Sequence, residues 1–315
     1  MKIVVTGGTG FIGANLIRRL LEQKQEVVCI DNLVSGKMKN VQELLSYSKF
    51  CFIKGDIVDL STFDGIDGID QIYNLACPAS PKFYQKQPIE TLKTCFQGMI
   101  NVLDVANKYN ARVLQTSTSE VYGDPLVSEQ SETYYGNVNP NGVRSCYDEG
   151  KRIAETLCCD YRRMYGTNVK IARIFNTYGP HMRPDDGRVI SNFINAILDE
   201  TEIIIYGNGE QTRSLCYVTD MVDGLIALMN SDVYGPINLG NPTELTVNEL
   251  AELLKKRMKS DISIRHCEEL ENDPKKRKPD ISLAMKELKW FPKISLDQGI
   301  SKTINYYKAE KASAL

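Results

Sequence analysis

A short apolar run, Ile3-Val4-Val5, breaks into Gly7-Gly8-Thr9-Gly10-Phe11-Ile12-Gly13, and that junction limits the fold more than any other feature of the chain. Glycines spaced G-x-x-G-x-x-G between a strand and a helix let the backbone turn tightly and bring its N–H groups and the helix N-terminus close to an anion. Further strand-like runs follow at 26–31, 50–54, 71–76, 112–117 and 168–174, separated by stretches of helical spacing. This alternation predicts an α/β fold built on a doubly wound parallel sheet. Val27-Val28-Cys29-Ile30 is continuously apolar, as expected of a strand covered by helices on both faces.

Between 88 and 109, Ile89, Leu92, Phe96, Met99, Leu103 and Ala106 recur at three and four spacing, which predicts one long helix, with Cys95 and Val102 elsewhere on the wheel. A second helix over 148–165 carries Ile153, Leu157, Tyr161 and Met164. Pattern alone leaves open whether these helices sink into their own core or form a subunit interface. Beyond Ile174 the rhythm loosens into a Gly/Pro/Asp-rich loop at 179–187, a short strand at 203–206 and an irregular stretch at 274–279. Helical spacing resumes at 221–229, 247–258 and 298–308. The expected organisation is a nucleotide-binding domain at 1–175 with returning segments near 216–258 and 293–315, and a discontinuous cap at 176–215 and 259–292.

With 38 Lys and Arg against 40 Asp and Glu, the net charge of −2 argues against a nucleic-acid binder. No apolar stretch approaches the roughly 18 residues of a membrane helix, so no membrane partner is expected. The N-terminus reads as mature protein rather than a signal peptide, and a soluble protein is expected. Nine cysteines without a C-x-x-C pair, and two histidines, predict no metal site and reduced thiols in a cytoplasmic setting.

Asp31 ends the second strand, where a carboxylate accepts hydrogen bonds from adenosine ribose hydroxyls and repels a 2′-phosphate, which favours NAD over NADP. Asp56, in Gly55-Asp56-Ile57, is either near the adenine or a turn residue. Tyr147 and Lys151 lie at i and i+4, on one face of the second long helix. Such a pair arises by chance about once in a chain of this composition. A second one, Tyr307 with Lys311, sits in the polar C-terminal region and reads as the chance pair. What distinguishes Tyr147 is Ser117-Thr118-Ser119-Glu120, at the C-terminal end of the fifth strand, where sheets of this kind bind ligands. A tyrosine acting as a base near neutrality must drop about 3 pH units from its ordinary value near 10, roughly 4 kcal/mol. Lys151 and a positive nicotinamide ring together supply that, and the Thr118 hydroxyl can bond the same substrate oxygen. The expected chemistry is removal of a proton from a secondary alcohol as its carbon is oxidised by NAD.

These residues resemble the extended short-chain dehydrogenases/reductases that modify nucleotide sugars. More narrowly, Ala79-Ser80-Pro81, Thr91-Leu92-Lys93-Thr94, Ser117 to Pro125, Cys146 to Arg152, Ala172 to Pro180, Asp186-Gly187-Arg188-Val189 and Asp273 to Asp280 resemble the UDP-glucuronate decarboxylases, or UDP-xylose synthases. The resemblance implies a closed cycle on a UDP-sugar: deprotonation of the 4-hydroxyl by Tyr147 with oxidation at C4, loss of CO2 from the resulting β-keto acid, and re-reduction of the 4-keto pentose. It implies catalytic roles for Thr118, Glu120, Tyr147 and Lys151, with Glu120 steering the sugar or a water or serving as a buried hydrogen-bonding group. NAD is expected on Gly7, Gly10, Phe11, Ile12 and Gly13, and around the adenosine on Asp31, Asn32, Ser35, Gly36, Asp56 and Ile57. Leu75, Cys77, Thr94, Tyr147, Lys151, Thr177 and Arg188 complete that set. The UDP-sugar falls to Lys93, Asn176, Val189, Asn192, Tyr206, Gln211, Arg213 and Arg277. Of these, Lys93, Arg213 and Arg277 suit a diphosphate or the substrate carboxylate, and Tyr206 suits stacking on uracil. A homodimer through the two long helices is also implied. Related 4,6-dehydratases carry an Asp-Glu pair after the Thr, and Ser119 in the Asp position disfavours dehydration. Another NAD-dependent nucleotide-sugar enzyme on the same scaffold, a 4-epimerase, a 4,6-dehydratase or an apiose/xylose synthase, is the alternative. A non-catalytic NAD-binding regulator would have no reason to keep Thr118, Tyr147, Lys151 and Arg277 together.

Overall fold

The computed structural model describes residues 1–269 and 276–312. Seven parallel strands form the central sheet: β1 (Lys2–Thr6), β2 (Glu26–Asp31), β3 (Phe50–Lys54), β4 (Gln71–Asn74), β5 (Arg112–Thr118), β6 (Val169–Ile174) and β7 (Ile237–Leu239), in the order β7-β6-β5-β4-β1-β2-β3. The order reverses at β1, which pairs with β2 on one side and β4 on the other. A crevice opens there beyond the C-terminal strand ends, the usual ligand position in such sheets. The doubly wound reading holds, and β7 is the strand it lacked. With three residues around a buried Asn238, β7 has no apolar run to betray it.

Helices cover both faces. On one side lie α1 (Phe11–Glu22) and, further along the chain, the helix Val218–Asn230, which touch each other over the sheet. On the other side a helical rod runs from α2 (Pro88–Lys93) through α3 (Met99–Tyr109) and packs beside α4 (Ser145–Tyr165). Met99, Val102, Leu103 and Ala106 are buried there with Ala154 and Cys158.

The rod is not the single regular helix that spacing predicts. Residues Thr94–Gly98 form one wider π turn between α2 and α3. Such a turn inserts a residue and rotates everything before it relative to everything after it. Cys95 is therefore buried, whereas Ile89, Leu92 and Phe96 from the predicted inner stripe are 61%, 37% and 45% exposed. The wheel's phase belongs to α3 alone.

Beyond β6 come α5 (Val189–Leu198), α6 (Val218–Asn230), α7 (Val247–Met258) and α8 (Leu296–Ala312). Short strands knit the cap: Ile203–Tyr206 pairs with Ile264–Cys267, and Thr212–Ser214 with Glu244–Thr246. Helix α7, expected to return to the nucleotide-binding half, packs on α5 and on Ile203–Tyr206. The apolar core on the α1 side runs without a break from Val5 and Ile17 to Phe193, Ile203 and Leu250. The closing helix expected at 298–308 is α8, and the Tyr307–Lys311 stretch read as polar tail is packed: Tyr307 is buried, and Lys311 donates to the Leu198 carbonyl at 2.6 Å. Of the cap motif 273–280, Asp273, Pro274 and Lys275 lie outside the described residues.

Candidate active site

A cleft of about 1070 Å³ follows the C-terminal strand ends from the glycine turn to the cap. At its first end, Gly7 has φ +66° and a Cβ there would stand 2.7 Å from the Leu75 carbonyl. A Cβ on Gly13 would lie 2.5 Å from the Gly7 oxygen. Only glycine allows this approach of β1, the turn and β4, and the backbone is left bare for an anion at the start of α1. Asp31 accepts hydrogen bonds from the backbone N–H groups of Thr9 at 3.0 Å and Leu33 at 2.8 Å. Gly36 sits where a Cβ would be 3.1 Å from both Asp31 carboxylate oxygens, so a side chain there would crowd the carboxylate. Asn32 donates to Asp56 at 2.8 Å, and Asp56 also accepts from Val58 N at 2.9 Å, which makes it a turn residue and a wall of the cleft at once. A bare glycine cradle beside a fixed carboxylate fits an adenine dinucleotide with free ribose hydroxyls. Phe11, Ile12, Ser35, Ile57, Leu75, Cys77, Thr94, Thr177 and Arg188 line the same cleft.

Further along, β5 delivers Thr118 and α4 delivers Tyr147 and Lys151. Thr118 and Tyr147 both line the cleft, and Thr118 Oγ1 accepts from Glu120 N at 3.2 Å. Lys151 Nζ donates to the Thr116 carbonyl at 2.8 Å and stands 5.8 Å from the Tyr147 ring centre. Tyr84 stacks on Tyr147 at 5.0 Å with the rings 8° apart. The expected fall in the Tyr147 pKa is not present in the chain itself. Burial pushes the phenol well above its ordinary value, the nearby Cys77 adds to the rise, and the Thr118 hydroxyl opposes them. A phenol closed in by Tyr84 has lost more hydration than one hydroxyl restores.

Glu120 is held by two guanidiniums, Arg144 at 2.5 Å and Arg277 at 2.8 Å. Burial alone would raise it, but Arg277 and Arg144 outweigh burial and bring it down to about 2. Arg277 is 2% exposed and also donates to the Gly123 carbonyl at 2.5 Å. Its place is therefore at the cleft wall with Glu120, not in a solvated basic run. Behind them, Asp148 is buried with Oδ1 lacking a hydrogen-bond partner. Burial and the Glu120 charge raise its pKa to about 7 against the pull of Arg144 and Arg277.

Of the substrate residues expected from resemblance, Asn176, Val189, Asn192, Tyr206, Gln211, Arg213 and Arg277 line the cleft. Lys93 does not. It is 53% exposed and pairs at 3.0 Å with Glu90, which does line the cleft. Tyr84, Arg144 and Asp148 are the site residues that sequence reasoning missed. Arg144, immediately before α4, was within reach as a cation three residues from Tyr147. Nothing local to Tyr84 signals its stack.

Residues 3–240 match the NAD dependent epimerase/dehydratase family. The chain is 52% identical over 301 residues to UDP-glucuronic acid decarboxylase 6 of Arabidopsis thaliana, covering 95% of this chain and 87% of that one. It is 47% identical over 309 residues to UDP-glucuronic acid decarboxylase 1 of Xenopus tropicalis, covering 98% and 72%. Among solved structures, UDP-glucuronic acid 4-epimerase from Bacillus cereus, crystallised with UDP-glucuronic acid and NAD, superposes with a TM-score of 0.89 at 28% identity over 98% of this chain and 100% of that one. On the length and level of these matches, the chain belongs to the NAD dependent epimerase/dehydratase family, within its group of UDP-glucuronic acid decarboxylases.

Proposed function

We propose that this protein converts UDP-glucuronate to UDP-xylose and CO2, with Tyr147 as the proton-handling group. The observation that carries the mechanism is that Thr118, Tyr147 and Lys151 line one cleft continuous with the Gly7–Gly13 cradle. NAD, when bound, supplies a reversible oxidation at the sugar C4. A ketone at C4 is β to the carboxylate on C5, so the electrons released with CO2 have an acceptor two bonds away. Tyr147 removes the proton from the 4-hydroxyl and returns it at the end, and Thr118 orients that oxygen. Lys151, fixed by the Thr116 carbonyl, brings a positive charge to the buried phenol. Arg277 and Arg144 both hold Glu120 and bring two guanidiniums to the cleft wall, groups that suit a sugar carboxylate. Tyr206 and Arg213 in the cap suit the base and diphosphate of the nucleotide.

The exposed apolar side chains of Ile89, Leu92, Phe96 and Ile153 support a homodimer through α2 and α4. A cytoplasmic setting agrees with nine unpaired thiols. Among the described residues no helix is long and apolar enough to cross a membrane.

The test is incubation of the purified protein with NAD and UDP-glucuronate, following products by mass spectrometry and NADH by absorbance. UDP-pentose without net NADH is expected. Conversion to UDP-galacturonate with the carboxyl retained would assign an epimerase instead, and unchanged UDP-glucuronate would overturn the reading. Tyr147→Phe should lower kcat by at least about a hundredfold, the usual scale of general acid–base catalysis, with the fold unchanged by circular dichroism.

A further inference from the structure

Two cysteines meet in the wall of the cleft. Cys77 follows β4 in Leu75-Ala76-Cys77-Pro78 and lines the cleft beside Leu75. Cys95 lies in the π turn between α2 and α3, buried one residue after Thr94, which lines the same cleft. Their sulfurs are 3.5 Å apart and share a hydrogen bond. The π turn makes this meeting possible, because it turns Cys95 inward where a regular helix would not.

We propose that Cys77 and Cys95 are a redox modification site: hydrogen peroxide converts the two thiols to a reversible disulfide that disables the active site. The hydrogen bond from Cys95 and the Lys151 ammonium both pull the Cys77 thiol down, while that same bond and burial push Cys95 up. Cys77, half-buried at the cleft, is therefore the attacking sulfur and Cys95 the resolving one. In the first step the Cys77 thiolate bonds to one peroxide oxygen, the O–O bond breaks, and the departing hydroxide takes up a proton to leave as water. In the second step the Cys95 sulfur bonds to the Cys77 sulfur and the S–O bond breaks. The second hydroxide leaves with the Cys95 proton as water. Two thiols are oxidised by two electrons in all, and one peroxide is reduced to two waters.

The consequence for the site follows from what the two sulfurs touch. A disulfide needs about 2.05 Å between sulfurs, so the 3.5 Å contact must close by about 1.5 Å. Cys95 is wedged against α4 at Gly150, where a Cβ would lie 3.1 Å from its sulfur, and Lys151 is the next residue. Cys77 is tied to the cleft wall. Closure thus moves the wall and the helix bearing Tyr147 and Lys151 relative to each other, and displacements of about 1 Å at such positions cost on the order of a hundredfold in rate.

The experiment treats the full-length protein, loaded with NAD, with a small excess of hydrogen peroxide, alkylates remaining thiols, and reads intact mass, a peptide map and activity. A loss of about 2 Da, a Cys77–Cys95 linked peptide, and a fall in activity of at least about tenfold that dithiothreitol reverses are the expected results. Cys95→Ala should keep its starting activity, give no linked peptide, and leave Cys77 as a sulfenic acid that dimedone traps. The peptide map separates the intramolecular link from a dimer through the exposed Cys51. Cys77 and Cys95 both remaining open to alkylation after peroxide treatment would overturn the proposal, as would oxygen addition without a link. So would an equal, dithiothreitol-reversible loss of activity in Cys95→Ala. The link is read on the protein itself, so its absence is distinguishable from failure of the proposed reaction.

Discussion

Replacing Asp148 by Asn probes the charge balance behind Glu120, and its effect on stability can be worked out from the structure. Asp148 is 7% exposed, its Oδ1 has no hydrogen-bond partner, and burial with the Glu120 charge raises its pKa from 3.8 to about 7. Between those values the folded protein holds a proton that the unfolded chain has released. Stability therefore falls as pH rises through that window and levels off above about pH 7. At about 1.4 kcal/mol per pH unit, the cost in the wild type is about 2 kcal/mol at pH 5 and about 4 to 5 kcal/mol at pH 8.5. Asn keeps the shape and cannot ionise, so it removes the pH-dependent part and leaves any constant packing cost behind. Urea unfolding of both proteins without added NAD, from about pH 5 to about pH 8.5, should show the variant gaining on the wild type by about 3 kcal/mol. A difference that stays flat with pH would refute the reasoning. A variant that loses ground as pH rises would show that ionised Asp148 has a compensating partner.

Glu120 carries the opposite sign. Held at about 2 against an ordinary 4.5, it contributes about 3 kcal/mol above pH 4.5 that is lost as pH falls toward 2, so Glu120→Gln should cost that much at neutral pH by urea unfolding and progressively less in acid. Gly13→Ala places a methyl 2.5 Å from the Gly7 oxygen, and calorimetric titration should show NAD affinity down by at least about tenfold, a penalty of some 1.4 kcal/mol. Lys93→Ala should leave the KM for UDP-glucuronate within about twofold of the parent, because its partner is the exposed Glu90, and such pairs contribute little. A large rise in that KM would return Lys93 to the substrate.

The contrast between Glu120 and Lys93 shows which parts of the site could be read along the chain. Asp31, Thr118 and Tyr147 stand at the ends of regular elements, and the rules that place them are local: a strand terminus, a glycine spacing, an i and i+4 face. The six longer strands were legible for the same reason, since an apolar run between two turns is visible in a few residues. Strand β7 was not, because its centre is Asn238, which is satisfied by the Gln130 and Asp280 carbonyls at 2.8 and 3.0 Å and by the Tyr122 hydroxyl at 2.8 Å. Those partners come from distant parts of the chain and turn a polar residue into a buried one. The π turn escaped for a related reason. A helical wheel assumes a constant angle per residue, and the extra residue within Thr94–Gly98 breaks that assumption where Cys95 must turn inward.

Charge is the least local property of all. Burial raises both Glu120 and Asp148 and the two guanidiniums pull both down, yet the outcomes differ: Arg277 and Arg144 stand against Glu120 and bond it, whereas Asp148 has the Glu120 charge beside it and its Oδ1 bonds nothing. This corner is one charge more positive when Asp148 is protonated than when it is ionised. On the proposed function, the attraction of this corner for a substrate carboxylate is thus linked to the proton on Asp148, the residue next to Tyr147. The Asp148→Asn protein, fixed in the neutral form, should hold its affinity for UDP-glucuronate as pH rises from about 6 to about 8, while the KM of the parent climbs by up to about tenfold, the change expected when one proton is linked to binding. Parallel KM profiles for the two proteins would place the charge that holds the carboxylate elsewhere in the cleft.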